Sequence, residues 1–222
     1  MSIELNIKKV RESVPEEVKI VAVSKFHPSE EIMEAYNVGQ RIFGESRVQE
    51  LVQKYDELPK DIEWHFIGGL QRNKVKQIAP FISMIHSVDS ERLMLEIDKH
   101  AGANNRSISC LLQIHIAEED TKSGFTPDEC FEFLSKETWK ACPHINFCGV
   151  MGMATYTDDT EKVRIEFQNL KHCFNRLKSR FFNDDPNFKE ISMGMTGDYH
   201  IAIEEGSTIL RIGTLIFGER VY

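Results

Sequence analysis

The chain has 222 residues, 41% of them hydrophobic and 28% charged, with a formal net charge of −8. That is enough for one large domain with a substantial core. No basic stripe points to nucleic acid, and no apolar run approaches the roughly 20 residues of a membrane span. In chain order, a leading helix is predicted over residues 2–13 and a first strand, KIVAVSK, over 19–25. PSEEIMEAYNVG follows as a helix, with Pro28 at its first helical position, acids in its first turn and Gly39 as terminator. The second strand is RIFGES at 41–46, followed by the helix SRVQELVQKYDEL. Strands EWHFIG at 63–68 and SMIHSVD at 83–89 come next. DSERLMLEIDKHAG then opens on an Asp/Ser cap and closes at Gly102. The fifth strand is SCLLQIHIA at 109–117, and the helix TPDECFEFLSKETW separates it from INFCGVMGMA at 145–154. The longest helix, over 158–182, carries apolar residues at helical spacing. EISMGM at 190–195, the short helix GDYHIAIEEG and a last strand at 209–218 complete the list.

Eight strands alternate with helices and no long linker divides them. This predicts one domain over 1–222 with an α/β fold: a single (β/α)8 TIM-type barrel with a leading N-terminal helix. A doubly wound open sheet is the alternative, but no G-x-G-x-x-G follows the first strand. The N-terminus, MSIELNIKKVRESVPEE, mixes both charges and is no secretory signal. The five cysteines include no C-x-x-C, so buried, reduced thiols of a cytoplasmic protein are expected. Eight histidines lack H-x-x-x-H or H-E-x-x-H spacing, so no metal site is expected.

The working face of such a barrel lies at the C-terminal ends of its strands. Side chains alternate along a strand, so Val21, Val23 and Lys25 share a face and Lys25 is predicted to point into the mouth. The plainer alternative is a strand-ending lysine in solvent or against a carboxylate. In SMGMTGD, Ser192 offers a hydroxyl and Gly194 a backbone that a ligand approaches closely. Residues 196–198 then open a helix whose N–H groups suit an anion, although an ordinary capped turn fits equally. In LRIGT, Arg211 and Gly213 share a face and Thr214 adds a hydroxyl. A charge within an apolar run needs a partner, which is either a ligand or a structural acid. Ser46, ending FGES, faces a ligand's edge or caps the next helix, and the cap is the simpler reading. Lys122 follows three acids and ranks below Lys25.

An amine at strand one and an anion site at strands seven and eight suit a phosphorylated carbonyl compound. Lysine amines condense with aldehydes. The amine must be neutral to attack, and burial beside the Arg211 cation would lower its pKa in that direction.

The segments VAVSK, FGESRVQE, EWHFIGGLQRNK, HSVD, TKSGF, SMGMTGD and RIGTLIFGER, in that order, resemble the pyridoxal-phosphate homeostasis protein family. That family's barrel is similar to the N-terminal domain of alanine racemase. The resemblance implies pyridoxal 5′-phosphate held as an aldimine on Lys25, with Ser192, Gly213 and Thr214 around its phosphate and Arg211 near the pyridine nitrogen. Met193 and Gly194 lie within the same phosphate motif, and Ser46 stands where the family often has an asparagine near the ring. Gly69 replaces a histidine common in the family, whereas His65 matches.

The implied function is a carrier or buffer in vitamin B6 homeostasis, with apo pyridoxal-phosphate enzymes as receivers. The chain ends at Tyr222, just after the last strand, so the second domain that completes a racemase is not expected. Arg211 beside the pyridine nitrogen would disfavour its protonation and weaken the ring as an electron sink. A minimal amino-acid racemase is the alternative. A class I aldolase-type barrel is a third reading, although such aldolases usually carry their lysine on a later strand. No apolar seam marks a dimer, and a monomer is expected.

Overall fold

The computed structural model describes residues 2–118 and 123–219. Among them, eight parallel strands close into a barrel in sequence order: β1 (Lys19–Val23), β2 (Ile42–Glu45), β3 (Glu63–Phe66), β4 (Met84–Val88), β5 (Ile108–Gln113), β6 (Ile145–Met151), β7 (Glu190–Ser192) and β8 (Ile209–Ile212). β8 returns to β1, with Val21 opposite Arg211 and Ala22 opposite Ile212. The crossovers and flanks carry α1 (Ile3–Ser13), α2 (Ser29–Asn37), α3 (Val48–Glu57), α4 (Val75–Ile78), α5 (Glu91–Ala103), α6 (Pro127–Ser135), α7 (Thr160–Phe181), α8 (Tyr199–Glu204) and α9 (Thr214–Phe217). The predicted barrel with a leading helix is the fold.

The strands are apolar on both faces because both faces are covered. Val21, Met84, Leu111, Cys148, Met151 and Ile209 fill the barrel interior. Their strand neighbours Ala22, Ile85, Cys110, Leu112 and Leu210 point outward into the layer shared with the helices. α7 adds Val163, Phe167, Leu170, Phe174 and Leu177 to that layer. All five cysteines are free and buried, as expected.

Local signals set the helix starts. Thr126 and Glu129 form a reciprocal capping box on α6. Ser90 Oγ accepts from Leu93 N on α5, and the Asp159 side chain accepts from Lys162 N at 3.1 Å on α7. Asp159→Ala is expected to cost about 1 kcal/mol, read as a lowered midpoint in urea unfolding.

Several details differ from the sequence reading. Pro28 sits one residue before α2, as its N-cap. α5 runs through Gly102 to Ala103, and the bare backbone at Gly102 makes room for the His144 ring, whose Cδ2 would lie 2.7 Å from a Cβ there. α4, preceded by a 3-10 turn over Arg72–Lys74, fills the β3–β4 crossover, where no element was predicted. The last strand stops at Ile212, and Thr214–Phe217 coils into α9. There Asn6 Nδ2 donates to Ile216 O at 2.9 Å and ties α9 to α1. A short apolar run such as LIF reads as either strand or buried helix by periodicity alone.

Candidate functional site

The C-terminal ends of the strands open into a cavity of about 670 Å³. Lys25, Ser46, Arg211, Gly213 and Thr214 all line it. A cavity of about 430 Å³ at the opposite end of the barrel, bounded by Arg11, Gln40 and Glu63, contains none of the predicted residues. Lys122 lies outside the described residues.

The backbone on both sides of Lys25 is pinned. Ser24 is fully buried and donates from Oγ to Glu45 Oε1 at 2.6 Å. Lys54 Nζ, reaching in from α3, donates to Ser24 O at 2.8 Å, Glu45 Oε1 at 2.7 Å and Glu50 Oε1 at 2.7 Å. Phe26 adopts φ 68°, and its N–H donates to Glu50 Oε1 at 2.6 Å. A bulky residue at positive φ is strained, and it persists where its surroundings fix it. The clamp therefore turns the chain sharply after β1 and leaves the half-buried Lys25 side chain on the cavity wall. Burial pushes the Glu45 carboxyl up, with the Lys54 charge opposing.

Sequence reasoning missed this clamp. Its only local trace is the i,i+4 pair Glu50–Lys54 on α3. Ser46 does not cap α3. Arg47 holds the N-cap position without a side-chain bond, and Ser46 lines the mouth, packed on Gly68, where a Cβ would lie 2.6 Å from Ser46 O.

On the adjoining strand β8, Arg211 is 4% exposed and makes no ion pair among the described residues. It donates from Nη1 to Ser192 Oγ at 2.6 Å and from Nη2 to Gly152 O at 3.0 Å. Burial lowers its pKa to about 10, with Asp198 opposing. Ser192 Oγ also meets His86 Nδ1 at 3.0 Å, and His86 Nε2 meets His65 Nδ1 at 3.0 Å.

The donors in this chain can be assigned. A guanidinium only donates. The Ser192 hydroxyl is therefore left to donate to His86 Nδ1, the one acceptor at hand among the described residues. His86 then carries its proton on Nε2 and gives that bond to His65 Nδ1. Both rings are neutral: burial pushes His65 down to about 3 and His86 well below its ordinary value.

Ser192 itself is fully buried and lies below the cavity wall, joined to it through Arg211. Met193 is buried in the outer layer, and Gly194 packs against Ala202 and Leu210. The structure thus brings Lys25, Ser46, Arg211, Gly213 and Thr214 together on one wall and places Ser192, Met193 and Gly194 behind it.

The histidine pair makes stability depend on acid. An unfolded histidine takes its proton near pH 6.5, whereas folded His65 waits until about 3. Between those values the unfolded state binds more protons, so stability falls as pH drops from about 6.5. Each buried histidine contributes up to about 1.4 kcal/mol per pH unit. Urea unfolding between pH 6.5 and 4.5 should show this slope, and His65→Gln should reduce it by about one proton. An unchanged slope would contradict a neutral buried pair.

Chemically, the wall joins an amine, a buried cation that only donates, a hydroxyl and the start of α9, whose first N–H groups lack intrahelical partners. That set suits a ligand with a carbonyl, an acceptor nitrogen and an anionic group. Among the described residues, no cluster of His, Cys, Asp or Glu could hold a metal, and no helix is long and apolar enough to cross a membrane.

The family described as alanine racemase, N-terminal domain, matches residues 1–221. The pyridoxal phosphate homeostasis protein of Aquifex aeolicus (strain VF5) is 41% identical over 208 residues, covering 92% of this chain and 88% of that protein. The protein of the same description from Vibrio alginolyticus is 38% identical over 213 residues, covering 94% and 89%. Among solved structures, PipY of Synechococcus elongatus PCC7942 with PLP bound is 33% identical with a TM-score of 0.87, covering 97% of this chain and 100% of that one. An alanine racemase of Clostridium difficile 630 shares the fold at 14% identity and a TM-score of 0.77, with 98% of this chain matching 56% of that one.

Proposed function

This chain belongs to the pyridoxal phosphate homeostasis protein family, and from that premise we propose that it binds pyridoxal 5′-phosphate at the barrel mouth as a carrier or buffer. The observation that carries this reading is the shared wall: Lys25 lies on the same cavity as a buried Arg211 that forms no salt bridge among the described residues. When bound, the cofactor supplies an aldehyde that condenses reversibly with a primary amine.

The residues fit that group. Lys25 would hold its aldehyde carbon. Arg211 would donate to its ring nitrogen, because Ser192 and Gly152 take only two of its N–H donors and it forms no salt bridge among the described residues. Gly213 and Thr214 would hold the phosphate with the start of α9, and Ser192, oriented by Arg211 and His86, would support that side. Met193 and Gly194 would shape the motif from behind, and Ser46 would meet the ring's edge. Arg211 also opposes protonation of the ring nitrogen, which favours holding the cofactor over carbanion chemistry. In this reading the chain works as a cytoplasmic monomer that passes the cofactor to apo-enzymes.

Two measurements test it. The purified protein mixed with pyridoxal phosphate should develop a visible band distinct from that of the free aldehyde, and inorganic phosphate should weaken it by competition. Incubation with single-enantiomer amino acids in deuterated water should leave Cα without solvent deuterium. Incorporation with turnover would instead make the protein an enzyme.

A further inference from the structure

We propose that the wall facing Lys25 across the mouth, built from Gln113 and Asp89, is a second subsite that takes a primary ammonium compound lacking a carboxylate. In a closed barrel of eight strands in sequence order, β5 lies opposite β1. Leu111 fills the barrel interior, so Gln113, two residues on, projects from the same face into the cavity. It is 4% exposed, and its carboxamide has no hydrogen-bond partner among the described residues. Buried polar groups in folded proteins are satisfied, so an unpaired carboxamide at a cavity wall marks a place where a ligand or water binds.

The charge around it selects the ligand. Asp89, at the rim just after β4, lines the cavity, and its Oδ1 accepts from Ser90 Oγ at 3.1 Å. Asp158, between β6 and α7, adds a second carboxylate to the rim, and the third among the described lining residues, Asp198, acts on Arg211. Among the described lining residues the cations are Lys25 and Arg211, both on the β8–β1 side. The β4–β5 wall therefore attracts a cation and repels a carboxylate. An ammonium group has three donors for Gln113 Oε1 and Asp89, and the neighbouring Ile67 offers an apolar surface for an aliphatic stem. The cavity, about 670 Å³, exceeds what a single-ring cofactor fills. The inference rests on the cofactor reading only in reserving Lys25 and Arg211 for that group.

The test is NMR on the full chain with 15N-labelled glutamine side chains, titrated with n-butylammonium, 4-aminobutyrate and butyrate. n-Butylammonium should give a saturable shift of the Gln113 carboxamide resonance. 4-Aminobutyrate should bind about tenfold more weakly or worse because it adds a carboxylate, and butyrate should not bind because it carries a carboxylate and no ammonium. Gln113→Leu and Asp89→Asn, the former followed by calorimetry, should each weaken n-butylammonium by about tenfold. No saturable shift, an equal response to butyrate, or unchanged affinity in both variants would overturn the proposal and leave water at Gln113. If Gln113→Leu does not fold, the rim variant Asp89→Asn and the titration of the unsubstituted chain decide. The visible band with pyridoxal phosphate is recorded on separate aliquots of the same protein with no amine added. A band without ammonium binding defeats the subsite alone, and ammonium binding without a band defeats the cofactor reading alone.

Discussion

Lys25→Ala protein is expected to show only the band of the free aldehyde with pyridoxal phosphate and to lose the cofactor on gel filtration. Lys25 is the amine on the cavity wall shared with Arg211, Gly213 and Thr214. Removing it leaves only the non-covalent contacts, so retention should fall by at least two orders of magnitude, roughly the worth of one lost strong interaction of about 3 kcal/mol. The fold should survive. Lys25 lies beyond the end of β1, and the clamp around it uses its backbone neighbours: Ser24 O accepts from Lys54, and Phe26 N donates to Glu50. An unchanged thermal midpoint with a lost band is the expected pair of results. A retained band would remove Lys25 from the site.

Lys54→Met should produce the largest loss of stability. Its ammonium is the cation facing Glu45, a carboxyl with no exposed surface whose Oε2 has no hydrogen-bond partner. Taking one member of a buried pair away leaves the other uncompensated, at about 3–5 kcal/mol. The Ser24 carbonyl loses its donor as well, so the turn carrying Lys25 loosens and cofactor affinity should fall together with stability.

The pH dependence gives a second check. Glu45 is already raised by burial, and losing Lys54 raises it further. Its folded pKa then exceeds its unfolded value, so the folded state binds more protons and the deficit relative to the parent should shrink as pH falls towards 4.5. Adding Glu45→Gln should recover part of the lost stability at neutral pH. Guanidinium unfolding of the parent, single and double variants at pH 7.5 and 5 measures all of this. A deficit that is the same at both pH values would mean that Glu45 is not the source.

The barrel was legible because strands buried on both faces read as short apolar runs, and because helices with recognisable starts separate them. Period-two alternation carried the reading further, from Val21 and Val23 to Lys25 and from Arg211 to Gly213. The parts it could not reach depend on pairing between distant segments. His65 and His86 meet because β3 and β4 are neighbours in register, with His65 opposite Met84. Nothing in the sequence joins them to Ser192, 106 residues further on. Glu45 meets Lys54 only once β2 and α3 are packed. Ser46 read as a helix cap because serine favours that position, yet α3 begins two residues later and Gly68 draws Ser46 to the mouth. SMGMTGD puts Ser192 at the end of a strand but does not give its depth along the barrel.

The central claim is that one lysine at the end of β1 holds the cofactor. It is tested most directly by mixing the protein with pyridoxal phosphate, reducing with borohydride and mapping the modified peptide by mass spectrometry. The account predicts one pyridoxyl-phosphate adduct, on Lys25. An adduct on Lys122 in place of Lys25, or no stoichiometric adduct at all, would contradict it.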